Sequence, residues 1–237
     1  MDNAGYATLS RQSGLLREMQ IVANNIANMS TTGYRQEGLL FSEYIVRVND
    51  GPSMSMAGAT VRNTSMLQGA MTMTGGQLDL AIEGDGFFLV ETPEGERLTR
   101  AGALTANGEG DLVTPRGFPV LDAGGAPVFI PPNAQDLSIS ADGTVSSGGR
   151  PLTQIGLVMP IDRDGMLRED GVLFRADSGY EPALNGRILQ GFLEDSNVQA
   201  VDQITRMIEV QRAYELGQSF LDAENDRLKE AMKTFLK

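Results

Sequence analysis

Met207-Ile-Glu-Val-Gln-Arg-Ala-Tyr-Glu-Leu-Gly-Gln-Ser-Phe-Leu221 sets Met207, Val210, Tyr214, Gly217 and Leu221 at alternating steps of three and four residues, and Leu228, Ala231 and Phe235 extend the series. Leu9, Gln12, Leu16, Met19, Ala23 and Ile26 step the same way near the other end. On a helix this spacing collects one side chain per half-heptad along a single seam, which requires a partner helix. Each end supplies what the other lacks, so the expected partner is the opposite end of the chain or its copy in a neighbouring subunit.

The segment from Leu78 to about Leu193 reads differently. Leu78, Leu80 and Ile82 alternate with Asp79, Ala81 and Glu83, and Gly84-Asp-Gly86 breaks the run before Phe87-Phe-Leu-Val90. Turn signals recur at Pro93-Glu-Gly95, Asn107-Gly-Glu-Gly110, Pro115-Arg-Gly117, Gly124-Gly125, Asp142-Gly143, Gly148-Gly149 and Asp164-Gly165. Between them lie short β-rich pieces such as Asp111-Leu-Val-Thr114, Pro127-Val-Phe-Ile130, Leu137-Ser-Ile-Ser140 and Gln154-Ile-Gly-Leu-Val-Met159. Closely spaced turns with no helix-length gap describe an antiparallel sandwich or barrel without βαβ crossovers. The predicted fold is α+β and multi-domain. Residues 1–33 and 196–237 form a helical core whose terminal helices pair as a coiled coil, 34–77 form an extended arm, the alternative being a disordered linker, and 78–195 form an all-β domain. In the arm, Phe41, Tyr44, Ile45 and Val48 suggest a short ordered piece, and Gly51-Pro-Ser-Met-Ser-Met-Ala-Gly58 is small and methionine-rich. Met54, Met56, Met66, Met71 and Met73 could pack adaptably within the chain or against a neighbour.

Ser196-Asn-Val-Gln199 has the form of a capping box, with Asp195 and Asp202 suited to the positive end of the helix dipole. A helix from Asn197 to Phe235 would span roughly 60 Å at ~1.5 Å per residue, long for a compact body and suited to an assembly.

Composition narrows the function. With 237 residues and 41% hydrophobic content the chain can bury a core. Its 31 acidic against 19 basic residues, net charge −12, oppose a nucleic-acid partner, which requires a basic face. Cysteine and histidine are both absent. Thiolate nucleophiles, imidazole bases and the favoured zinc ligands are therefore excluded, and no metal or cofactor is expected. No stretch approaches the ~20 apolar residues of a membrane span. The opening Met1-Asp-Asn-Ala-Gly-Tyr lacks a basic and apolar signal pattern, so if the protein leaves the cytoplasm a route other than a cleaved signal must take it out.

Enzymatic readings fare poorly. Glu83 with Asp85, or Asp162 with Asp164, could form a hydrolase pair. All four sit in glycine-rich turns, where an aspartate ordinarily bonds its own backbone, and the lack of tryptophan weakens a sugar-binding cleft. Asp162-Arg-Asp164-Gly165 lacks calcium-loop spacing, Gly84-Asp-Gly86 completes no dinucleotide fingerprint, and no lysine-bearing phosphate loop is present.

Four blocks are more specific. Val22-Ala-Asn-Asn-Ile-Ala-Asn28 followed by Thr32-Gly-Tyr-Arg35, with Gly14-Leu15 upstream, resembles the N-terminal signature of the flagellar rod and hook axial proteins. Leu78-Asp-Leu-Ala-Ile-Glu-Gly-Asp-Gly-Phe-Phe-Leu-Val90 is similar to the opening of their shared core. Thr99-Arg100, Gly102 and Gly110-Asp-Leu-Val-Thr114 continue it. Leu193-Glu-Asp-Ser-Asn-Val198, Met207-Ile208 and Gln211-Arg-Ala-Tyr214 resemble the C-terminal signature. Leu98 and Leu104 stand where the family often has aromatics, a change that keeps much of the apolar volume.

The resemblance implies a non-enzymatic subunit of the basal-body rod, on the periplasmic side. The Met1-Asp-Asn-Ala start and modest length look more like the proximal rod than the distal rod or hook. It also implies export through the flagellar type III apparatus, partners among other rod proteins and further copies of itself, terminal helices that line the inner tube and export channel, and transmission of motor torque to the hook. A secreted binding module or adhesin with an oligomerising stalk is the alternative of another class, and it should keep its helices at one end.

The residues expected at the assembly interface are Leu9, Leu16, Met19, Ala23, Asn24, Asn25, Ile26 and Asn28 near the start. Near the end they are Val201, Ile204, Met207, Ile208, Val210, Arg212, Tyr214, Leu221, Leu228 and Phe235. Asn24, Asn25 and Asn28 are poor interior helix residues. They either cap the fraying helix end before Gly33 or hydrogen-bond across subunits and fix register.

Overall fold

The heptads at the two ends become helices, α1 (Asp2–Ala27) and α2 (Ala200–Phe235), and the chain between them is β-rich. The computed structural model describes residues 2–46 and 54–235, with side chains at 7–39 and 63–234. Val48 and Gly51-Pro-Ser53 lie outside the described residues, as does the Phe235 side chain.

The chain divides into two compact units. One comprises residues 1–27, 37–65 and 199–237, and the other 28–36 and 66–198. This differs from the expected division. The arm is a hairpin of β1 (Glu37–Val46) and β2 (Met54–Thr64), antiparallel from Glu37 opposite Thr64 to Val46 opposite Met54 with a bulge at Leu40/Phe41, and both strands pack on α1. Residues 66–77 join the β-rich unit.

In the helical unit, α1 and α2 run antiparallel. The Gln12 side chain meets Tyr214, Glu18 meets Arg206, and Asn25 meets Gln203, so the partner number falls as the α1 number rises. On α2 the seam follows the expected phase. Gln203 and Val210 are buried and Met207, Tyr214, Gly217, Leu221 and Glu224 half-buried, in unbroken steps of four and three, whereas Leu228 is exposed.

On α1 the inward face is not the expected one. Gln12, Leu15, Glu18, Ile21, Val22 and Asn25 are buried, Met19 and Ile26 half-buried, and Leu9, Leu16 and Ala23 exposed. The helix carries two overlapping heptad stripes, and periodicity alone does not choose between them. The chosen stripe is punctuated by Glu18 and Asn25, which a reading of apolar spacing passes over and whose polar groups α2 satisfies.

Both helix boundaries also shift. α1 ends at Ala27, and the turn follows, with the Thr31 N–H donating to the Asn28 carbonyl at 3.0 Å. α2 starts at Ala200 and not at Asn197. The Ser196 hydroxyl accepts the Val198 N–H at 3.3 Å, a local turn in place of the capping box, and the Gln199 carbonyl takes the first helical bond from the Gln203 N–H at 3.1 Å. Asn197 is held by the β-rich unit through its own backbone and side chain, which prevents the helix from beginning earlier.

The β-rich unit is antiparallel throughout, as the turn spacing predicts. Its main sheet has six strands in the order 166–170, 173–176, 95–99, 87–92, 157–160 and 180–182. Strand Phe87–Thr92 is buried on both faces. Phe88 and Val90 enter a core with Leu80, Ile82, Val120, Val128, Val145 and Ile188, while Phe87 and Leu89 enter a second core with Leu98, Leu121, Val158, Met166 and Phe174. This explains the unbroken apolar run Phe87-Phe-Leu-Val90, since a strand with two covered faces has no polar side to alternate with. The first and last strands of the unit are paired together, Leu80–Glu83 with Arg187–Gln190 and Met71–Met73 with Phe192–Glu194. That pairing carries Glu194 back to where the unit begins.

Candidate functional sites: a buried arginine cluster and a helical assembly face

Arg35, Arg100 and Glu194 meet inside the β-rich unit. Arg35 Nη2 lies 2.8 Å from Glu194 Oε1 and Arg100 Nη1 lies 3.1 Å from Oε2, with Arg35 and Glu194 each 1% exposed and Arg100 4%. The Gly69 N–H donates to Glu194 Oε1 at 3.0 Å, and the Gly33 N–H donates to the Glu194 carbonyl at 2.7 Å. Other Nη–H groups of the two guanidiniums are turned onto carbonyls, while Nε of Arg35 and of Arg100 has no hydrogen-bond partner among the described residues. Arg100 donates to Ile82 at 3.0 Å and Gly84 at 2.7 Å, and Arg35 to Met66 at 3.3 Å and to Leu67.

Burial pulls both guanidinium pKa values down, Arg100 to about 10, and the attraction of Glu194 only partly offsets it. A lowered pKa means the unfolded state holds the Arg100 proton more tightly, so the stability this group withholds returns only as pH rises above 10. Well below pH 10 Arg100 stays charged, and its penalty is constant.

Around this triad every conspicuous signature residue has a physical task. Gly33 has φ +69°, and a Cβ there would lie 2.4 Å from the Ala101 nitrogen. Tyr34, 1% exposed, is covered by the Arg168 guanidinium at 4.3 Å from its ring centroid, and the same guanidinium sits 4.6 Å from Phe174 and donates to the Arg35 carbonyl. Asn197 accepts the Gln36 N–H at 2.6 Å and donates to the Leu67 carbonyl at 2.7 Å. The blocks Thr32–Arg35, Thr99–Gly102 and Leu193–Asn197 thus converge on one point of the chain's interior. Sequence reading named these blocks but not Arg35, Arg100 and Glu194 as a set. Their charge, set in apolar company at three separate signatures, is the signal that could have joined them. All three being nearly inaccessible, no reactant reaches them, and their work is structural.

In the helical unit Asn25, 1% exposed, performs a related task. Its Nδ2 donates to the Glu37 carbonyl at 2.8 Å and to Gln203 Oε1 at 3.0 Å, and its Oδ1 accepts the Glu37 N–H at 3.0 Å. The amide therefore ties α1 to β1 and α2 within one chain. Asn25→Leu strands a buried donor and acceptor, each worth about 1–3 kcal/mol when unmet. The expected result is a fall in melting temperature of about 5 °C or more, at ~2–4 °C per kcal/mol for a chain of this size; calorimetry measures it. Asn24 is exposed, and Asn28 accepts the Thr31 hydroxyl at 3.2 Å.

The rest of the expected interface is divided between the helix pair and the outer surface. Val201, Ile204, Ile208, Arg212 and Leu228 on α2 are exposed, as are Leu9 and Leu16 on α1, while Val210 is buried and Met207, Tyr214 and Leu221 are half-buried against α1. The candidate hydrolase carboxylates are engaged in turns and surface pairs: Asp162 Oδ1 accepts the Asp164 and Gly165 N–H groups at 3.1 and 3.0 Å, and Asp85 pairs with Arg163 at 3.3 Å. Among the described residues no three metal-binding side chains cluster, and no helix is long and apolar enough to cross a membrane.

Antiparallel terminal helices with uncovered apolar positions, joined to a β-rich unit locked by its own ion cluster, define the class: a structural subunit for assembly. Comparison with known proteins makes this specific. Family models described as "Flagella basal body rod protein", "Flagellar hook protein FlgE/F/G D1 domain" and "Flagellar basal body rod FlgEFG protein C-terminal" match residues 6–35, 81–147 and 189–234. The flagellar basal-body rod protein FlgF of Caulobacter vibrioides is 44% identical over 94% of this chain and 93% of its own length. FlgF of Rhizobium meliloti is 32% identical over 99% and 98%. FlgG of Caulobacter vibrioides is 33% identical over 89% and 90%. The chain belongs to the flagellar basal-body rod protein family, as a structural rod subunit of the basal body that assembles with other rod proteins. Of the two Caulobacter paralogues it is more similar to FlgF.

Proposed function

We propose that this chain is a proximal-rod subunit whose terminal helices join those of its neighbours in a coiled-coil tube. The tube transmits motor torque to the hook and encloses the export channel, through which the flagellar type III apparatus delivers the subunits. Catalysis, cofactors and nucleic acid have no place in this role, in keeping with a net charge of −12 and the absence of histidine and cysteine.

The observation that carries the reading is the apolar surface α1 leaves uncovered on α2. Val201 is 76% and Leu216 71% exposed, and Ile204, Ile208 and Phe220 are also exposed. Each such side chain contributes roughly 1.5–3 kcal/mol when fully covered, so a row of them rewards assembly and nothing within the chain.

The test is Ile204→Asp combined with Ile208→Asp. Both positions are solvent-facing in the chain, so its circular dichroism should be unchanged and its melting temperature should stay within about 4 °C of the parent, each surface change being worth under ~0.5 kcal/mol at ~2–4 °C per kcal/mol. Incorporation into basal bodies and swimming of a complemented deletion strain should be lost. Basal bodies that retain the variant at parental levels would refute the reading.

A further inference from the structure

Two features of the helical unit fit each other but cannot meet within one chain. The first is a groove of about 330 Å³ between α1 and α2, lined by Gln12, Leu15, Ala213, Leu216, Gly217 and Phe220. Leu216 and Phe220 stand exposed at its rim. Gln12, 6% exposed, gives its Nε2–H to the Tyr214 carbonyl at 2.9 Å, but its Oε1 accepts no hydrogen bond among the described residues. A buried acceptor is unfavourable until a donor arrives; Thr8 and Arg11 also line the groove, but neither bonds Gln12 Oε1.

The second feature is the end of α2. The pairing of Gln12 with Tyr214 and of Glu18 with Arg206 sets the antiparallel register. Carried along both helices at equal rise, it places Asp2 opposite about residue 224. From Asn225 to Phe235 α2 then runs on without α1 beside it. Leu228 and Met232, one turn apart on a single face, are exposed there. Residues at this spacing sit about 5–6 Å apart, and the groove from Ala213 to Phe220 is about 10 Å long at 1.5 Å per residue. Asn225, three residues before Leu228 on the same face and exposed, brings an amide N–H.

The geometry points to a head-to-tail contact between copies of this chain, in which Leu228 and Met232 of one copy seat in the Gln12–Leu216 groove of the next and Asn225 donates to Gln12 Oε1. The inference rests on the rod reading and names the surface through which copies meet. Groove and tip are different surfaces of one molecule, so the contact is heterologous and propagates instead of closing on itself, as an axial polymer requires.

The chain has no cysteine, so introduced thiols report the contact without background. Leu216→Cys and Met232→Cys, each at an exposed position, are expressed with different tags in one deletion strain, and basal bodies are isolated under mild oxidation. A disulfide-linked species bearing both tags is expected, at least ten-fold above that from either variant alone. If both variants enter basal bodies but no mixed species forms, the contact is refuted and the rod reading stands. Cross-links between two Met232→Cys chains alone would also refute it, in favour of a tip-to-tip pair. If the tagged parent chain, without either cysteine, is itself absent from basal bodies, the rod reading falls and the contact with it.

Discussion

Glu194→Ala should lower the stability of the β-rich unit by about 3–5 kcal/mol, the usual cost of removing one partner from a buried ion pair. The reason lies in what remains. Arg35 and Arg100 keep their guanidinium groups in the interior, 1% and 4% exposed, with carbonyls still around them but no ion-paired carboxylate, Asp85 acting only as a weaker electrostatic partner. Two cations so placed repel each other and lose the attraction that partly offset their desolvation. Against a typical total of ~5–15 kcal/mol this is a large fraction. In urea, with a slope of ~1–3 kcal/mol per molar, the midpoint should fall by about 2 M. A midpoint within about 0.3 M of the parent would show that the cluster does not hold the unit together. Adding Arg100→Met to Glu194→Ala should recover part of the loss, since it removes one of the stranded charges.

Gly33→Ala should have an effect of similar size by another route. The backbone at Gly33 has φ +69°, which costs an L-residue roughly 1–2 kcal/mol. The added Cβ would also lie 2.4 Å from both the Ala101 nitrogen and the Arg100 carbonyl carbon, which are backbone atoms that no rotamer change moves. Thr32–Arg35 would have to lift from its seat, withdrawing Arg35 from Glu194 and Tyr34 from Arg168. Amide hydrogen exchange at residues 33–36 should accelerate at least 100-fold. Gly75 separates the two causes. It has φ +73° with nothing within 4 Å of its virtual Cβ, so Gly75→Ala should show the conformational cost alone. Equal effects at the two positions would mean that close packing at Gly33 contributes nothing.

The family blocks were legible in sequence because interior constraints leave little choice of residue. Gly33 is required by a steric approach, Arg35 and Arg100 by a shared carboxylate, and Asn197 by two separate backbone partners. What the blocks did not disclose is that they address one another. Charged residues at separate points of a chain carry no sign of mutual contact, and the strand pairing that returns Glu194 to Gly69 depends on register across the whole unit. Asn25 shows the same limit. Its poor fit to a helix interior was visible, but whether the amide served the helix end, a neighbour or the chain itself depended on where β1 and Gln203 came to lie.

The turn spacing and apolar runs by themselves determined an antiparallel β middle, and the heptads determined a helix at either end, because both patterns express local periodicity against a covered face. The phase of α1, the start of α2 at Ala200 and the grouping of the hairpin with the helices were decided only by the tertiary structure. In each case two local solutions are close in free energy. The choice falls to distant polar partners: Arg206 for Glu18, Gln203 for Asn25, and the backbone of Gln36 and Leu67 for Asn197. A buried hydrogen-bonding group must find its complement wherever the fold has carried it, and that position is not written beside it in the chain.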